Sequence, residues 1–238
     1  MRHTVAQGSR LTVFGAEMAS ERLTHLVAQL AELRRHLLPD PFDETGVYED
    51  EDKVAMTALA YRVLAHAEIE AYFEDRALEA ANSARAAWDE RSHVSRIALC
   101  LLAFSGKEMP SPPDTLEAPS ENKRKAWPML IDVSERFAPV VTSFHHYVRT
   151  ENHGVREKNL LSLLLPLGIG PAQLDPTFLA AIDSFGSLRG QAAHTSSRRA
   201  VRQAINPAEE YRRVEGLMPG IEAIDSLLDD LIAGAAPV

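Results

Sequence analysis

The spacing of its apolar residues restricts this chain more than any other feature. They recur at steps of three and four, and no apolar–polar alternation runs beyond a few residues. Leu23, Leu26, Leu30, Leu33 and Leu37 set the pattern in a helix expected from about Glu17. It stops at Pro39-Asp40-Pro41, where proline removes a donor and restricts the preceding residue. The acids Asp43-Glu44 and Glu49-Asp50-Glu51-Asp52 then lead into a long helix and suit the positive end of its dipole. In it Met56, Leu59, Val63 and Ala67 share a face that continues towards Tyr72-Phe73 and Leu78, with a break expected near Asn82-Ser83. A further helical run spans Trp88 and Val94 to Phe104.

Composition supports the helical reading. Aromatics make up only 6% of the chain, while Ala, Leu, Glu and Arg, which favour helices over strands, crowd it. A helix is expected from about Lys125 to Arg149, kinked or split by Pro139. Asn152-His153-Gly154 then turns the chain into a helix that begins at Lys158 and ends at Pro166. Asp175-Pro176 and Asn206-Pro207-Ala208-Glu209 read as helix starts, each with a capping side chain followed by proline. The last helix carries Tyr211, Val214, Leu217, Ile221, Ile224, Leu228 and Leu231, with a bend expected at Pro219-Gly220. The 238 residues lie between one large and two small domains. Pro110, Pro112, Pro113 and Pro119 mark residues 106–122 as a long loop. The expected organisation is a loose arm over 1–16 and a single all-α domain over 17–238.

Several function classes drop out. The formal net charge of −9 is unsuited to non-specific duplex binding, which rests on many cations. Cys100 stands alone, so there is no internal disulfide or Cys-rich metal framework, and its apolar setting reads as a small buried residue. No stretch approaches the roughly 20 apolar residues needed to cross a bilayer, and the first residues lack the apolar core of a secretory signal. The expectation is a soluble, cytoplasmic protein. His145, His146 and His153 invite a zinc site, but adjacent helical residues point about 100° apart and no Cys or acid stands at ligand spacing. No metal or cofactor is expected. His66, beside Glu68 and Glu70, reads as a partly buried polar residue.

P-loop, dinucleotide-binding, serine-elbow and zinc-protease motifs are absent. What remains is the stretch from Ser184 to Ser196, in which Arg189 and His194 stand five residues apart among glycines and small polar residues. In a straight helix five residues advance about 500°, leaving the two side chains about 140° apart. Either Gly186 and Gly190 distort the backbone, or the pair converges on a cleft completed by a second chain. Alternatively, both residues cap a helix and pair with carboxylates. Arg198, Arg199 and Arg202 follow as a basic cluster in an acidic chain.

Arg189-x4-His194 resembles the Arg-x4-6-His signature of the HEPN superfamily, all-α domains that include RNA-cleaving toxins and defence proteins. The run Leu188-Arg189-Gly190-Gln191-Ala192-Ala193-His194-Thr195 is similar to its RiboL-PSP-like branch. So are Leu64 to Glu74, an early helix with an acid before an aromatic, and Lys158-Asn159 to Gly168, a central helix with its glycine turn. The sequence departs from many catalytic members at Gly190, where they carry Asn, Asp or His.

The resemblance implies a HEPN-like antiparallel helical bundle with additional flanking helices. It also implies metal-independent endoribonuclease activity at a homodimer interface, with a composite active site and RNA as substrate. In that reading His194 takes the 2′-OH proton and Arg189 stabilises charge developing on phosphorus. Glu70 supports Arg189 by fixing its rotamer, and Arg198, Arg199 and Arg202 contact RNA. Products are a 2′,3′-cyclic phosphate and a 5′-hydroxyl. Toxin–antitoxin or antiviral defence supplies the setting, with an antitoxin or defence protein as partner. The alternatives are a non-catalytic HEPN module binding nucleotide, RNA or protein, and a structural helical adaptor.

Overall fold

The computed structural model describes residues 19–43, 45–106, 132–194 and 205–235. Among them every regular element is helical: α1 (Glu21–Leu37), α2 (Glu51–Arg91), α3 (Arg96–Phe104), α4 (Val133–Thr150), α5 (Glu157–Leu164), α6 (Pro176–His194), α7 (Pro207–Glu215) and α8 (Met218–Ala233). Short 3-10 turns at Leu165–Leu167 and Pro171–Gln173 join α5 to α6. The arm, most of the 106–122 loop and the Arg198/Arg199/Arg202 cluster lie outside the described residues.

The organising element is α2. Its 41 residues span about 60 Å, and every other α-helix packs against it. A helix with neighbours on several sides has no single apolar stripe. Ala58, Tyr61, Ala65, Ile69, Phe73, Ala77, Ala80, Ala81, Ala84 and Ala87 are all buried, the alanines letting neighbouring helices approach closely. The expected face leads inward only at its far end: Tyr72, Phe73 and Leu78 are buried, whereas Met56 is 58% exposed and Ala67 is exposed as well. The expected break at Asn82-Ser83 is also missing, because a propensity cost of a few tenths of a kcal/mol yields to the alanines buried around it. The helix ends instead at Ser92, which adopts a left-handed conformation (φ 53°) and donates its N–H to the Trp88 carbonyl at 2.8 Å.

Elsewhere local chemistry sets the boundaries. The Ser20 hydroxyl caps α1 by accepting from Leu23 N–H at 3.0 Å, and Asn206 caps α7 by accepting from Ala208 N–H at 2.9 Å. Pro139 sits inside α4 without splitting it; its missing N–H would have served Glu135, which is exposed, so water can take that carbonyl. The last helix is two helices, not one bent helix. The chain leaves α7 at Glu215 and restarts at Met218, placing Pro219 in a first turn, where its missing N–H costs nothing. One continuous core joins Leu26 of α1, Phe73 of α2, Phe137 of α4, Leu163 of α5, Ile182 of α6 and Ile221 of α8. Cys100 is only half-buried.

Candidate functional site

Helix α6 carries the Arg189–His194 stretch, and two devices fix how it lies. At its start, Asp175 accepts from Thr177 N–H at 2.9 Å. Midway, it backs closely onto the residue preceding α5. A Cβ on Gly186 would stand 2.8 Å from Arg156 Cγ and 3.3 Å from Arg156 N, so only glycine allows this approach. Arg156 then clasps α6 through Asp183, with Nε donating to Oδ1 at 3.0 Å and Nη2 to Oδ2 at 3.2 Å. The Arg156 guanidinium holds the Asp183 carboxyl below the usual range.

This clasp turns Phe178, Ile182 and Phe185 inward. The Phe185 ring lies 5.8 Å from the His66 ring of α2, tilted by 31°. Arg189 follows Phe185 by four residues, so it lies on the same side of α6 one turn on. It is exposed and forms no ion pair among the described residues. The helix continues through Gly186 and Gly190 to His194, so neither glycine breaks it. His194 is its last residue, and its side chain lies outside the described set.

Opposite α6, His66 is 1% exposed. Burial pushes its pKa down; the Glu70 carboxylate opposes that shift and the Arg189 charge adds to it. Nδ1 of His66 stands 3.5 Å from Glu70 Oε2 but makes no hydrogen bond. The other oxygen of Glu70 accepts from the Gly154 N–H. Gly154 has φ +103°, a left-handed conformation that favours glycine. Beside it, Asn152 donates to Glu74 Oε1 at 3.3 Å, and Asn159 of α5 donates to Asn152 Oδ1 at 3.2 Å and to the His153 carbonyl at 3.3 Å. Burial raises the Glu74 pKa, and the Asn152 hydrogen bond partly offsets that. Asn159 Oδ1 is buried and has no partner. A Cβ on Gly154 would sit 3.8 Å from His66 Nε2 and 3.9 Å from that oxygen, so both polar groups border the small space the glycine leaves.

The sequence expectations fare unevenly here. The expected Glu70–Arg189 ion pair is not formed among the described residues; one Glu70 oxygen accepts from Gly154 N–H and the other lies 3.5 Å from His66 Nδ1. His66, read from the sequence as a partly buried polar residue, is fully buried at the centre of the cluster. The signal for it was the His66-x3-Glu70 spacing, which places the two on one helix face. Asn152 and Asn159 carried no signal beyond marking a turn and a helix start.

His145 and His146 do not join His153 as ligands, and among the described residues no group of three His, Cys, Asp or Glu could hold a metal ion. No helix of the described residues is long and apolar enough to cross a membrane. An apolar groove of about 520 Å³ lies between α3, α4 and α5, lined by Phe104, Pro139, Phe144, Tyr147, Leu161 and Leu165 among others. It shares no residue with the Arg189 cluster.

Fold and site together define an all-α bundle in which the exposed Arg189, without an ion pair among the described residues, follows Phe185 by one turn, and Phe185 packs on the buried His66. No protein-family model matches this chain, and comparison with curated proteins and with solved structures returns no significant match.

Proposed function

We propose that this chain is a HEPN-type, metal-independent endoribonuclease that cleaves RNA by 2′-OH attack. The observation that carries the reading is Arg189. It is exposed on α6 and unpaired among the described residues, five positions from a histidine in a signature that resembles the family's. An unpaired guanidinium offers a permanent forked donor to phosphate oxygens, and a histidine near neutral pKa serves as base for the 2′-OH. The 2′ oxygen attacks the adjacent phosphorus as its proton passes to His194, and the 5′ oxygen of the next nucleotide leaves, taking up a proton. A cyclic phosphate and a 5′-hydroxyl remain. Because five residues of helix separate the pair by about 140°, a homodimer in which each chain completes the other's cleft suits the reading. The RNA path continues over Arg198, Arg199 and Arg202. A cytoplasmic toxin or antiviral role, restrained by an antitoxin or defence partner, fits such an enzyme.

Purified protein and His194→Ala are incubated with a mixed RNA pool in EDTA and the product ends are mapped. Cyclic phosphates from the wild type alone are the expected result. Intact RNA with the folded wild type would overturn the enzyme reading. Gly190 favours one second reading, a HEPN module that binds RNA without cutting it, since the position lacks the polar side chain of many catalytic members. Retained RNA with unchanged ends would select that module.

A further inference from the structure

Buried polar groups in folded proteins are nearly always paired, and two beside the Gly154 turn are not: His66 Nδ1 and Asn159 Oδ1. Both residues are enclosed, at 1% and 6% exposure. No hydrogen bond reaches either ring nitrogen of His66 among the described residues.

The directions of the neighbouring bonds define the group that would complete them. On one side, Asn159 Nδ2 donates to Asn152 Oδ1 at 3.2 Å, and Asn152 Nδ2 donates to Glu74 Oε1 at 3.3 Å. This arm runs from donor to acceptor and ends on a carboxylate, so Asn159 Oδ1 is left needing a donor. On the other side, His66 Nδ1 faces Glu70 Oε2 at 3.5 Å. A lone pair turned towards a carboxylate is repelled, so the proton of the neutral ring sits on Nδ1 and Nε2 is left as an acceptor. Burial favours that neutral ring. Two acceptors, Nε2 and Oδ1, therefore border one space. A Cβ on Gly154 would lie 3.8 Å from the first and 3.9 Å from the second, and nothing beyond the adjoining residues of the chain stands closer. Gly154 has φ +103°, a conformation that favours glycine and so keeps a side chain out of this space.

We propose that the space beside Gly154 is a binding site for one water molecule, which donates one hydrogen to His66 Nε2 and the other to Asn159 Oδ1. Water is small enough for the site and carries the two hydrogens that a pair of acceptors requires. Its oxygen stands about 3 Å from each, an ordinary hydrogen-bond length, and bridging otherwise unpaired buried groups is the usual role of an internal water. The bridge completes a run from Glu74 through Asn152, Asn159 and His66 towards Glu70, and ties α5 to α2 across the turn. Neither Arg189 nor RNA enters this site, so its occupancy is independent of the endoribonuclease reading.

Three measurements on the full-length protein in ammonium-free buffer test the site. A high-resolution crystal structure should show a density peak within about 3.2 Å of both His66 Nε2 and Asn159 Oδ1. In solution, cross-relaxation between water and the Gly154 protons should carry the sign of a long-lived bound water. The ring 15N shifts of His66 should report a proton on Nδ1. Absence of the peak, or a neutral ring protonated on Nε2, overturns the proposal. A site filled only after ammonium chloride is added also overturns it, since ammonium offers the same hydrogens. His66→Phe keeps an aromatic ring against Phe185 and removes one acceptor, so the water–Gly154 signal should be lost; an undiminished signal overturns the bridge. If His66→Phe does not fold, Asn159→Leu removes the other acceptor and carries the same expectation, and the wild-type measurements decide by themselves.

Discussion

Two polar clusters lie along α2, and they are built on opposite terms. Around Arg76, buried to 1% exposure, carboxylates crowd in. Nη1 donates to Glu79 at 2.7 Å, Nε lies 3.0 Å from Asp225 Oδ1, and Nη2 donates to Asp229. Asp225 in turn accepts from Tyr72 OH at 2.7 Å and from Ser20 N–H at 2.9 Å, tying the α1 cap, α2 and α8 together. About 15 Å along the same helix, His66 has one carboxylate beside it at 3.5 Å and no hydrogen bond to Nδ1, and the nearby cation, Arg189, is left unpaired. The first cluster pairs its buried arginine completely, with Asp225 buried beside it and Glu79 and Asp229 reaching in from the surface. The second keeps a charge unspent, an arrangement that contributes little to stability and suits a ligand.

That division predicts where mutations hurt. Asp225→Ala strips a buried arginine, a tyrosine and a helix cap of their shared acceptor. It should cost about 3–5 kcal/mol of unfolding free energy, the usual penalty for breaking a buried ion pair from one side, read by urea denaturation. On the proposed endoribonuclease reading, RNA cleavage per folded molecule should stay at the wild-type level. A folded Asp225→Ala protein as inactive as His194→Ala would erase the distinction between the clusters.

The next effect belongs to the other cluster. Gly186→Ala inserts a methyl group 2.8 Å from Arg156 Cγ, so α6 must move off the start of α5, at about 1–3 kcal/mol for overpacking. Because that approach sets Phe185 against His66, this variant should lose stability and, if the proposed RNA site is correct, RNA binding with it. Gly220→Ala presses on the first turn of α6 instead, since its methyl group would overlap Phe178 with Cδ2 2.1 Å away; it should lose stability while its RNA affinity falls less than that of Gly186→Ala. Equal loss of RNA binding in both variants would mean that the site depends on the bundle as a whole and not on the α5–α6 clasp.

The sequence made these clusters legible to different degrees. Helical class, the starts at Asp175-Pro176 and Asn206-Pro207, and the end of α5 near Pro166 follow from local chemistry within four residues, and the structure agrees with each. The inward face of α2 did not follow, because a helix surrounded by neighbours has no single periodic stripe to read. The Arg76–Asp225 contact joins residues 149 positions apart in the chain, and Glu70 meets Gly154 across 84; no local pattern encodes either. Glu70 drew attention through family resemblance as a partner for Arg189, whereas its oxygens face Gly154 and His66. His66 was read as a partly buried polar residue and given no role, because the full burial that makes it central is a tertiary property.

Glu70→Ala removes the acceptor of the Gly154 N–H. The expected loss is about 1 kcal/mol, the net worth of one such hydrogen bond, seen as a lower urea midpoint at unchanged slope. Hydrogen exchange at Gly154 should accelerate in this variant, whereas Asp225→Ala should leave that amide protected relative to global unfolding. A Gly154 amide as protected as in the wild type would show that the turn is held by Asn152 and Asn159 alone.

The smallest effect is the pH dependence carried by His66, and its sign follows from burial. The folded protein holds this imidazole below its unfolded value of about 6.5. Above that pH both states are neutral there and the residue adds no slope. As the pH falls through about 6.5, the unfolded chain binds the proton first, so the wild type loses stability on acidification until the folded-state pKa is passed. His145, also pushed down by burial, contributes in the same direction, so the quantity to compare is the difference between wild type and His66→Gln across about pH 5 to 8. That difference should be flat in the upper half and shift in favour of His66→Gln in the lower half. Repeating the comparison in the Arg189→Gln background should shrink the shift, because one of the two influences that disfavour the imidazolium is gone. An unchanged shift would place Arg189 too far from His66 to matter and would separate the surface arginine from the buried histidine.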